Sequence, residues 1–221
     1  MINEIFYYFQ RPEKGWDPIS TQYARDYALS VVSKVNVAEI VQEAVIFTGD
    51  LKDKSVLDLG AGPGYFVEKF FSLGAQVTWQ DISHYHLELF RKLFPEVRAN
   101  IQIGYMEEAT GEYDLVFNRV CWYYCLDDRK FAKKIIELLK SGGKAYLIIP
   151  NEGHQKRAEK QIFGFKGFLI RLRYYLNNNF GIKIGHPYLS TERIKKLFSN
   201  LKVSFIDFDV HEDVVVVKLI K

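Results

Sequence analysis

Hydrophobic positions in the middle of the chain alternate between short apolar runs and longer stretches with helical spacing. The short runs predict strands at 55–59, 76–80, 100–103, 113–118 and 144–149. The stretches between them predict helices at 65–73, 84–94 and 129–140, the last one stopped by Gly142 and Gly143. Strands that alternate with crossover helices build a parallel sheet, so this region is expected to be α/β.

The flanking regions complete a doubly wound, Rossmann-like domain over residues 1–221. Residues 1–50 are expected to form N-terminal helices, in which Tyr23, Tyr27 and Val31 stand at four-residue spacing, and residues 51–150 form the core. Residues 151–190 are expected to form a helical lid inserted after the fifth strand. Residues 191–221 read as a helix, begun by Ser190 or Thr191, and an antiparallel hairpin of runs 203–209 and 213–220. The predicted sheet is mostly parallel and has seven strands.

The composition is that of a globular chain and excludes several classes of protein. Apolar residues make up 48% and charged residues 26% of the 221 residues. Two cysteines give no disulfide framework, and no Cys/His group has the spacing of a metal site. The longest apolar runs are too short to cross a bilayer, and residues 1–10 lack the pattern of a secretory signal. We therefore expect a cytoplasmic protein with no transmembrane segment and no metal.

The turn after the first strand carries the strongest chemical signal. Its sequence is Asp-Leu-Gly-Ala-Gly-Pro-Gly over residues 58–64, between a buried strand and a predicted helix. Glycines allow positive φ angles and let a ligand lie directly on the backbone. Backbone N–H groups at a helix start favour an anion. An ordinary strand-to-helix turn requires neither three alternating glycines nor the acid.

A dinucleotide site is the nearest alternative for this turn. Its fingerprint is G-x-G-x-x-G, whereas this chain has G-x-G-x-G preceded by Asp58. A carboxylate at that position repels a pyrophosphate but accepts hydrogen bonds from an ammonium group. The expected ligand thus carries an amine and a carboxylate, as an amino-acid moiety does.

Residues 58–64 resemble the first motif of class I S-adenosylmethionine-dependent methyltransferases. Residues 77–83 resemble the second-strand motif of that family, residues 112–118 its fourth strand, and residues 138–146 the turn that enters its fifth strand. The resemblance is strong over about residues 50–150 and implies S-adenosylmethionine as the cofactor and methyl transfer as the activity. It says almost nothing about the methyl acceptor.

The motifs also assign binding residues. Asp81 follows the second strand, where its carboxylate can accept hydrogen bonds from both ribose hydroxyls, and Ile82 offers apolar surface to the adenine. Met106 and Glu107 are expected at the adenine edge, although Tyr105 stands where relatives often have an acid. The expected cofactor-binding residues are Asp58, Gly60, Ala61, Gly62, Gly64, Asp81, Ile82, Met106, Glu107 and Asn118.

The segment after the fourth strand faces the methyl group in the family. Residues 118–126 lack the Asn/Asp-Pro-Pro-aromatic signature, which counts against nucleobase amines and glutamine amides as acceptors. Tyr123, Tyr124 and His154 are the candidates for substrate binding, and Trp16 and Tyr23 for covering the cofactor. Methyl transfer depends mainly on alignment, so the sequence identifies no catalytic residue.

Residues 155–196 contain ten lysines or arginines against two glutamates, a net charge of +8. Within them, Phe165, Phe168, Leu169, Leu172 and Leu176 share one face of a predicted helix ended by residues 177–181. This segment predicts a lid over a small or medium anionic metabolite. A solvated basic face, an RNA-binding surface and a helix on an anionic membrane are the alternatives. At the level of function, the alternatives are a methyltransferase acting on RNA or another macromolecule, and a non-catalytic cofactor-binding partner protein.

Overall fold

A computed structural model describes residues 20–31, 35–160, 162 and 164–221. The strands in these ranges are β1 (Ser55–Leu59), β2 (Gln76–Asp81), β3 (Ala99–Ile103), β4 (Tyr113–Arg119), β5 (Leu139–Pro150), β6 (Phe205–Val210) and β7 (Val214–Ile220). They form one seven-stranded sheet in the order β3-β2-β1-β4-β5-β7-β6. The pairs among β1 to β5 are parallel, and β7 is antiparallel to both β5 and β6. The predicted fold class is therefore confirmed.

The helices described are α1 (Thr21–Asp26), α2 (Val37–Thr48), α3 (Tyr65–Ser72), α4 (His84–Leu93), α5 (Asp128–Glu137), α6 (Glu152–Lys160), α7 (Gly164–Phe180) and α8 (Thr191–Ser199). Side chains that accept hydrogen bonds from the first-turn N–H groups begin several of them. These N-caps are Ser20, Asn36, Ser83, Asp127 and Ser190. Each satisfies a backbone donor that has no partner inside its own helix.

The core lies in two layers, one on each face of the sheet. Successive residues of a strand point to opposite faces, so Leu57 packs in the layer of Trp122 and Phe131, while Val56 packs in the layer of Phe70. Helices cover both faces because parallel strands need crossover connections. The carboxyl ends of β1 and β4 remain open at the point where the strand order reverses, which is where open α/β sheets bind ligands.

The helix before β5 is shorter than the sequence predicts. It ends at Glu137 rather than at residue 140, and residues 139–143 already belong to the strand. The register between β4 and β5 shifts there, so the glycines lie in a bulged strand start and do not cap a helix. Gly142 has a positive φ of 74°, and the backbones of Gly142 and Gly143 exchange hydrogen bonds with Lys221.

The predicted stop at residues 177–181 is confirmed, and the helix ends in the last part of that range. Helix α7 continues to Phe180, and Gly181, at a φ of 72°, follows it. The side-chain amides of Asn178 and Asn179 donate to carbonyls one turn back, which leaves the helix intact. Asn178 also accepts the N–H of Ser190 at 2.6 Å and so ties α7 to the start of α8.

The N-terminal helical prediction holds for the part that the structure describes. Helix α1 runs into a π-helical turn, Tyr27–Val31. Trp16 lies outside the described residues. No helix among the described residues combines the length and the apolar character needed to span a bilayer.

A buried ion pair fastens the segment after α7 to the core. Lys183 Nζ donates to Asp128 Oδ1 at 2.8 Å, and both side chains are at least 94% buried. The same oxygen accepts the indole N–H of Trp122 at 3.1 Å. Burial alone lowers the pKa of Lys183, but the neighbouring Cys125 and Asp128 outweigh it and hold that pKa above its usual value.

Replacing Lys183 with methionine is expected to destabilise the protein by about 3 kcal/mol, because Asp128 then remains buried without a counter-charge. The matched variant Lys195→Met removes an exposed lysine of α8 and is expected to change little. Urea unfolding of the two variants provides the measurement. Equal losses would show that the ion pair does not anchor this segment.

Candidate functional site

A cavity of about 510 Å³ opens at the carboxyl ends of β1, β2, β3 and β4. Its volume is in the range of small-molecule sites, and its position is the reversal point of the strand order. It is lined by Ser20, Tyr23, Tyr27, Gly60, Gly62, Gln80, Asp81, Ile82, His86, Gly104, Tyr105, Met106, Glu107, Arg119, Val120, Cys121, Tyr123 and Tyr124. Nine of the residues predicted from the sequence are thus brought together here.

The glycine-rich loop forms the floor of the cavity. Gly62 has a φ of 54°, and a Cβ there would point towards the rings of Tyr27 and His86, at 3.8 and 4.0 Å. A side chain at this position would therefore occupy space left for a ligand. Gly64 serves packing instead, since a Cβ there would lie 2.1 Å from the ring of Phe90.

Side chains of β2 hold the loop from below. The indole N–H of Trp79 donates to the carbonyl of Gly62 at 2.9 Å. The amide of Gln80 accepts the N–H of Gly60 at 3.2 Å and donates to the carbonyl of Gly104 at 2.8 Å. Both side chains are fully buried, so the loop geometry is fixed by the core.

Asp58 ends up buried with an unused oxygen. The side chain lies two residues before Gly60, and its Oδ2 is buried and accepts no hydrogen bond from any residue that the structure describes. Burial, followed by the nearby charge of Asp81, raises the pKa of Asp58 to about 8, against a lowering by Arg119. A buried carboxyl group that lacks a partner is costly, and a cationic ligand would supply one.

Asp81 organises the opposite side of the loop. Its Oδ2 accepts the N–H of Gly62 at 2.9 Å, and its Oδ1 accepts the N–H of Ser83 at 2.9 Å and bonds Nδ1 of His86 at 3.2 Å. A carboxylate only accepts, so Nδ1 of His86 carries the proton. The other ring nitrogen, Nε2, is buried with no partner among the described residues. The cavity therefore presents both a fixed carboxylate and an unused imidazole nitrogen.

Arg119 supplies positive charge at the end of β4. Its guanidinium lies over the ring of Phe66, 5.6 Å from the centroid, and makes no ion pair within the described part of the chain. It is close enough to Asp58 to lower the pKa of that carboxyl. The next residue, Val120, has a φ of 56°, which is strained for a β-branched side chain. That turn leaves Arg119 and Cys121 both lining the cavity.

Ile82, Met106 and Glu107 line the cavity on the side of β2 and β3, as predicted. Glu107 Oε1 accepts the N–H of Leu126, which ties the turn after β3 to the loop after β4. Its Oε2 is buried with no partner among the described residues, and burial raises the pKa of this carboxyl. Glu107 therefore has one oxygen committed to the fold and one unused.

Tyrosines cover the remaining side. Tyr23 and Tyr27 stack with centroids 6.1 Å apart, and Tyr27 lies 6.1 Å from the ring of His86. Tyr123 packs edge-on against Tyr188 at 5.0 Å. Burial raises the pKa of Tyr27 to about 12 and also raises the pKa of Tyr123. These phenols therefore stay neutral at physiological pH.

Besides Asp58, which lies beneath the lining, four predicted residues lie outside it. Ala61 gives its N–H to the carbonyl of Gln80, and Gly64 packs on Phe90. Asn118 donates to the carbonyl of Leu59 at 2.9 Å and so joins β4 to β1. His154 donates from Nδ1 to the carbonyl of Asp213 at 2.7 Å. Its ring lies 5.6 Å from Tyr188 and is not part of the lining.

Sequence reasoning missed several residues of the cavity, namely Tyr27, Gln80, His86, Arg119 and Cys121. The sequence indicated Tyr27 only as a helical position and gave Cys121 no role in a site. A polar Gln80 inside an apolar strand and a lone Arg119 at a strand end were the available signals. His86 gave no signal, because its role depends on how α4 packs over Asp81.

Comparisons with known proteins agree with this geometry. Residues 57–147 match the family model described as a methyltransferase domain. The chain is 28% identical over 113 residues to the biotin biosynthesis bifunctional protein BioHC of Cellvibrio japonicus, covering 48% of this chain and 22% of that protein. It is 30% identical over 110 residues to the ubiquinone biosynthesis O-methyltransferase of Xanthomonas oryzae pv. oryzae, covering 46% of this chain and 45% of that protein. The match thus spans less than half of each relative.

A solved structure matches over almost the whole fold. The plantazolicin methyltransferase BpumL, in complex with a triazolic desmethylPZN analog and SAH, superposes with a TM-score of 0.66 at 13% identity. The match covers 99% of this chain and 94% of that one. At such low identity the likeness establishes the fold alone.

Asp58→Asn is expected to change how stability depends on pH. The pKa of Asp58 is 3.8 in the unfolded chain and about 8 in the folded protein, so its contribution is full below pH 3.8 and is lost as pH rises towards 8. Between about pH 4 and about pH 8 the free energy of unfolding of the ligand-free protein should therefore fall, and the variant should lack this part of the fall.

Asp114→Asn is the matched control with the opposite sign. Desolvation raises the pKa of Asp114, but hydrogen bonds from Lys140 and Ser55 lower it to about 2 overall. Its stabilising contribution is present above pH 3.8 and is lost as pH falls towards 2. Urea unfolding from about pH 2 to about pH 8 distinguishes the two variants. If the free energy of unfolding depends on pH in the same way for Asp58→Asn and for the parent protein, the raised pKa of Asp58 is wrong.

Proposed function

We propose that residues 57–147, which match the family model of a methyltransferase domain, belong to the class I S-adenosylmethionine-dependent methyltransferases, and that the protein transfers a methyl group from S-adenosylmethionine to a small or medium acceptor. One observation carries this proposal. A buried carboxyl group, Asp58, lies near the guanidinium of Arg119 beside a glycine loop, and among the described residues Oδ2 of Asp58 has no hydrogen-bond partner and the guanidinium has no ion pair. Together these groups match the charges of a zwitterionic amino-acid tail.

The cavity residues fit the parts of the cofactor in order along the sheet. The ammonium group would bind Asp58, and the carboxylate would bind Arg119. The ribose hydroxyls would bind Asp81, which lies at the end of β2 with oxygens that can each accept a further hydrogen bond. The adenine would lie against Ile82 and Met106, which supply apolar surface.

When bound, S-adenosylmethionine supplies an electrophilic methyl group on a sulfonium. The chain's own contribution is to hold the acceptor in line and to exclude water. The buried phenols Tyr123 and Tyr124 have raised pKa values and remain protonated, so they act as hydrogen-bond donors or acceptors that orient the acceptor. They are poor general bases. A hydroxyl acceptor would therefore keep its proton until the new bond to the methyl group has begun to form, or would transfer that proton to water.

The lining favours an acceptor with a planar, apolar part. Tyr23, Tyr123 and Tyr124 line this cavity together with Tyr27, and aromatic surfaces pack well against flat rings. The anionic character of the acceptor stays a prediction. None of the basic residues of the segment 155–196 lines this cavity. Lys183, for example, is buried in its ion pair with Asp128.

Arg119→Met is expected to weaken binding of S-adenosylhomocysteine by about ten- to a hundred-fold, the usual range for a hydrogen bond to a charged group. Arg98→Met, which removes an exposed arginine, is the control and should bind normally. Decarboxylated S-adenosylhomocysteine should bind the parent and Arg119→Met equally, because it lacks the group that Arg119 recognises. Calorimetry measures the affinity of both ligands for the parent and for Arg119→Met. If Arg119→Met still prefers S-adenosylhomocysteine over the decarboxylated ligand as strongly as the parent does, another residue binds the carboxylate.

Methyl transfer itself is tested with methyl-labelled cofactor and a cell extract divided into small-molecule, RNA and protein fractions. We expect label in the small-molecule fraction. Label in RNA or protein would favour a macromolecular methyltransferase. Cofactor binding without label in any fraction would favour a binding partner protein. A parallel reaction with Asp58→Asn shows whether the transfer depends on the site described above.

A further inference from the structure

Helix α7 has an exposed apolar stripe. Phe165, Phe168, Leu172 and Tyr175 recur at intervals of three, four and three residues, the spacing of one helix face. Phe165 is 72% exposed, Phe168 52% and Tyr175 54%. We call these four residues the α7 stripe. Of the face that the sequence predicts to be apolar, Phe165, Phe168 and Leu172 are exposed in the structure, whereas Leu169 and Leu176 are partly buried.

The opposite face of α7 is the one that packs on the protein, and polar groups take part in that packing beside the partly buried Ile170. Gly167 and Asn177 are buried there, and Asn178 donates to the carbonyls of Tyr174 and Tyr188. Asn178 also accepts the N–H of Ser190. Polar contacts thus help to hold the helix, and its largest exposed side chains are apolar, which is unusual for a surface helix.

Positive charge borders the α7 stripe. Arg171 is exposed and lies next to Phe168 and Tyr175 on the helical wheel, whereas Lys166, also exposed, lies about 100° or more from each residue of the stripe. Residues 164–180 contain no aspartate or glutamate. The apolar patch continues past the helix end, where Phe180, Ile182 and Ile184 are all about half exposed or more.

We propose that the α7 stripe and its basic flanks bind an anionic lipid membrane, with α7 lying in the plane of the interface. Apolar side chains enter the boundary between headgroups and acyl chains, while flanking lysine and arginine side chains reach anionic headgroups. Both halves of this pattern are present, and the absence of acidic residues removes any repulsion from the lipid.

Charge and shape disfavour the other occupants. A second copy would bring its own Lys166 and Arg171 against the first, with no acid on α7 to pair with them. RNA would use the basic flanks and stack on aromatic rings, but it has no use for Leu172 or for Ile182 and Ile184 beyond the helix. A lipid surface uses the whole patch.

The patch is joined to the cavity through one aromatic contact. Tyr188, whose carbonyl accepts from Asn178 at 3.2 Å, packs against Tyr123 at 5.0 Å, and Tyr123 lines the cavity. A membrane-bound α7 would thus hold the acceptor side of the cavity near the interface.

Vesicle co-sedimentation tests the proposal on the whole protein without cofactor or acceptor, so its outcome is independent of methyl transfer. The probes are vesicles of phosphatidylglycerol with phosphatidylcholine, and vesicles of phosphatidylcholine alone. We expect binding to the anionic vesicles, and weaker binding to the neutral ones by about ten-fold or more.

Two pairs of variants separate the apolar and the charged contributions. The triple variant Phe165→Ser/Phe168→Ser/Leu172→Ser should lose about ten-fold or more in vesicle affinity. Its control, Ile46→Ser/Leu73→Ser/Val210→Ser, removes exposed apolar residues elsewhere and should bind as the parent does. Lys166→Glu/Arg171→Glu should lose a similar amount. Its control Lys195→Glu/Lys196→Glu, on exposed positions of α8, should not.

Each contrary outcome overturns the proposal. No sedimentation of the parent with anionic vesicles does so directly, as does equal loss in the test and control variants. The surface would be assigned to RNA if the parent protein does not bind vesicles but binds a homopolymer RNA, and if Lys166→Glu/Arg171→Glu loses that RNA complex while the serine variant keeps it. A parent dimer that becomes a monomer only in the serine variant, again without vesicle binding, would assign it to a second copy.

Discussion

The buried carboxyl group of Asp58 is the constraint around which the cavity is arranged. A strand end in the middle of a parallel sheet places this acid away from water, next to Asp81, with only the distant compensation of Arg119. The fold leaves this carboxyl group short of hydrogen-bond partners. Hydrogen bonds from the side chains of Gln80 and Trp79 instead hold the glycine-rich loop above it in place. The empty site has a buried carboxyl group without a partner, which costs free energy, and a cationic group of the ligand would remove that cost. This is the electrostatic basis of the proposed cofactor binding.

The sheet and the cofactor loop were predictable because local patterns determine them. Strand periodicity predicted the order of elements, and three glycines with an acid predicted the loop. Element ends were less predictable, since Gly142 and Gly143 serve a strand bulge whose partner, Lys221, is far away in the chain. Some polar groups of the cavity were missed for the same reason. Arg119 and His86 acquire their roles only when β4 and α4 are packed, and no short-range pattern reports that packing.

The segment after β5 combines firm anchoring with an unusual surface. Lys183 is paired in the core and Asn178 bonds to the backbone of Ser190, so the C-terminal end of α7 and the segment after it are fixed. Rigid attachment matters because an exposed apolar face would otherwise turn inward to escape water. Polar contacts underneath α7 and apolar residues outside it are thus consistent parts of one arrangement.

The hydrogen bond from the indole of Trp79 to the carbonyl of Gly62 couples a chromophore to the cofactor loop. Indole emission depends on the polarity and hydrogen bonding around its nitrogen. Because this ring is fully buried and touches no solvent, a shift in its fluorescence would register movement of the glycine loop itself. The protein thus contains an intrinsic optical reporter of whether its loop is fixed before ligand arrives or adjusts afterwards.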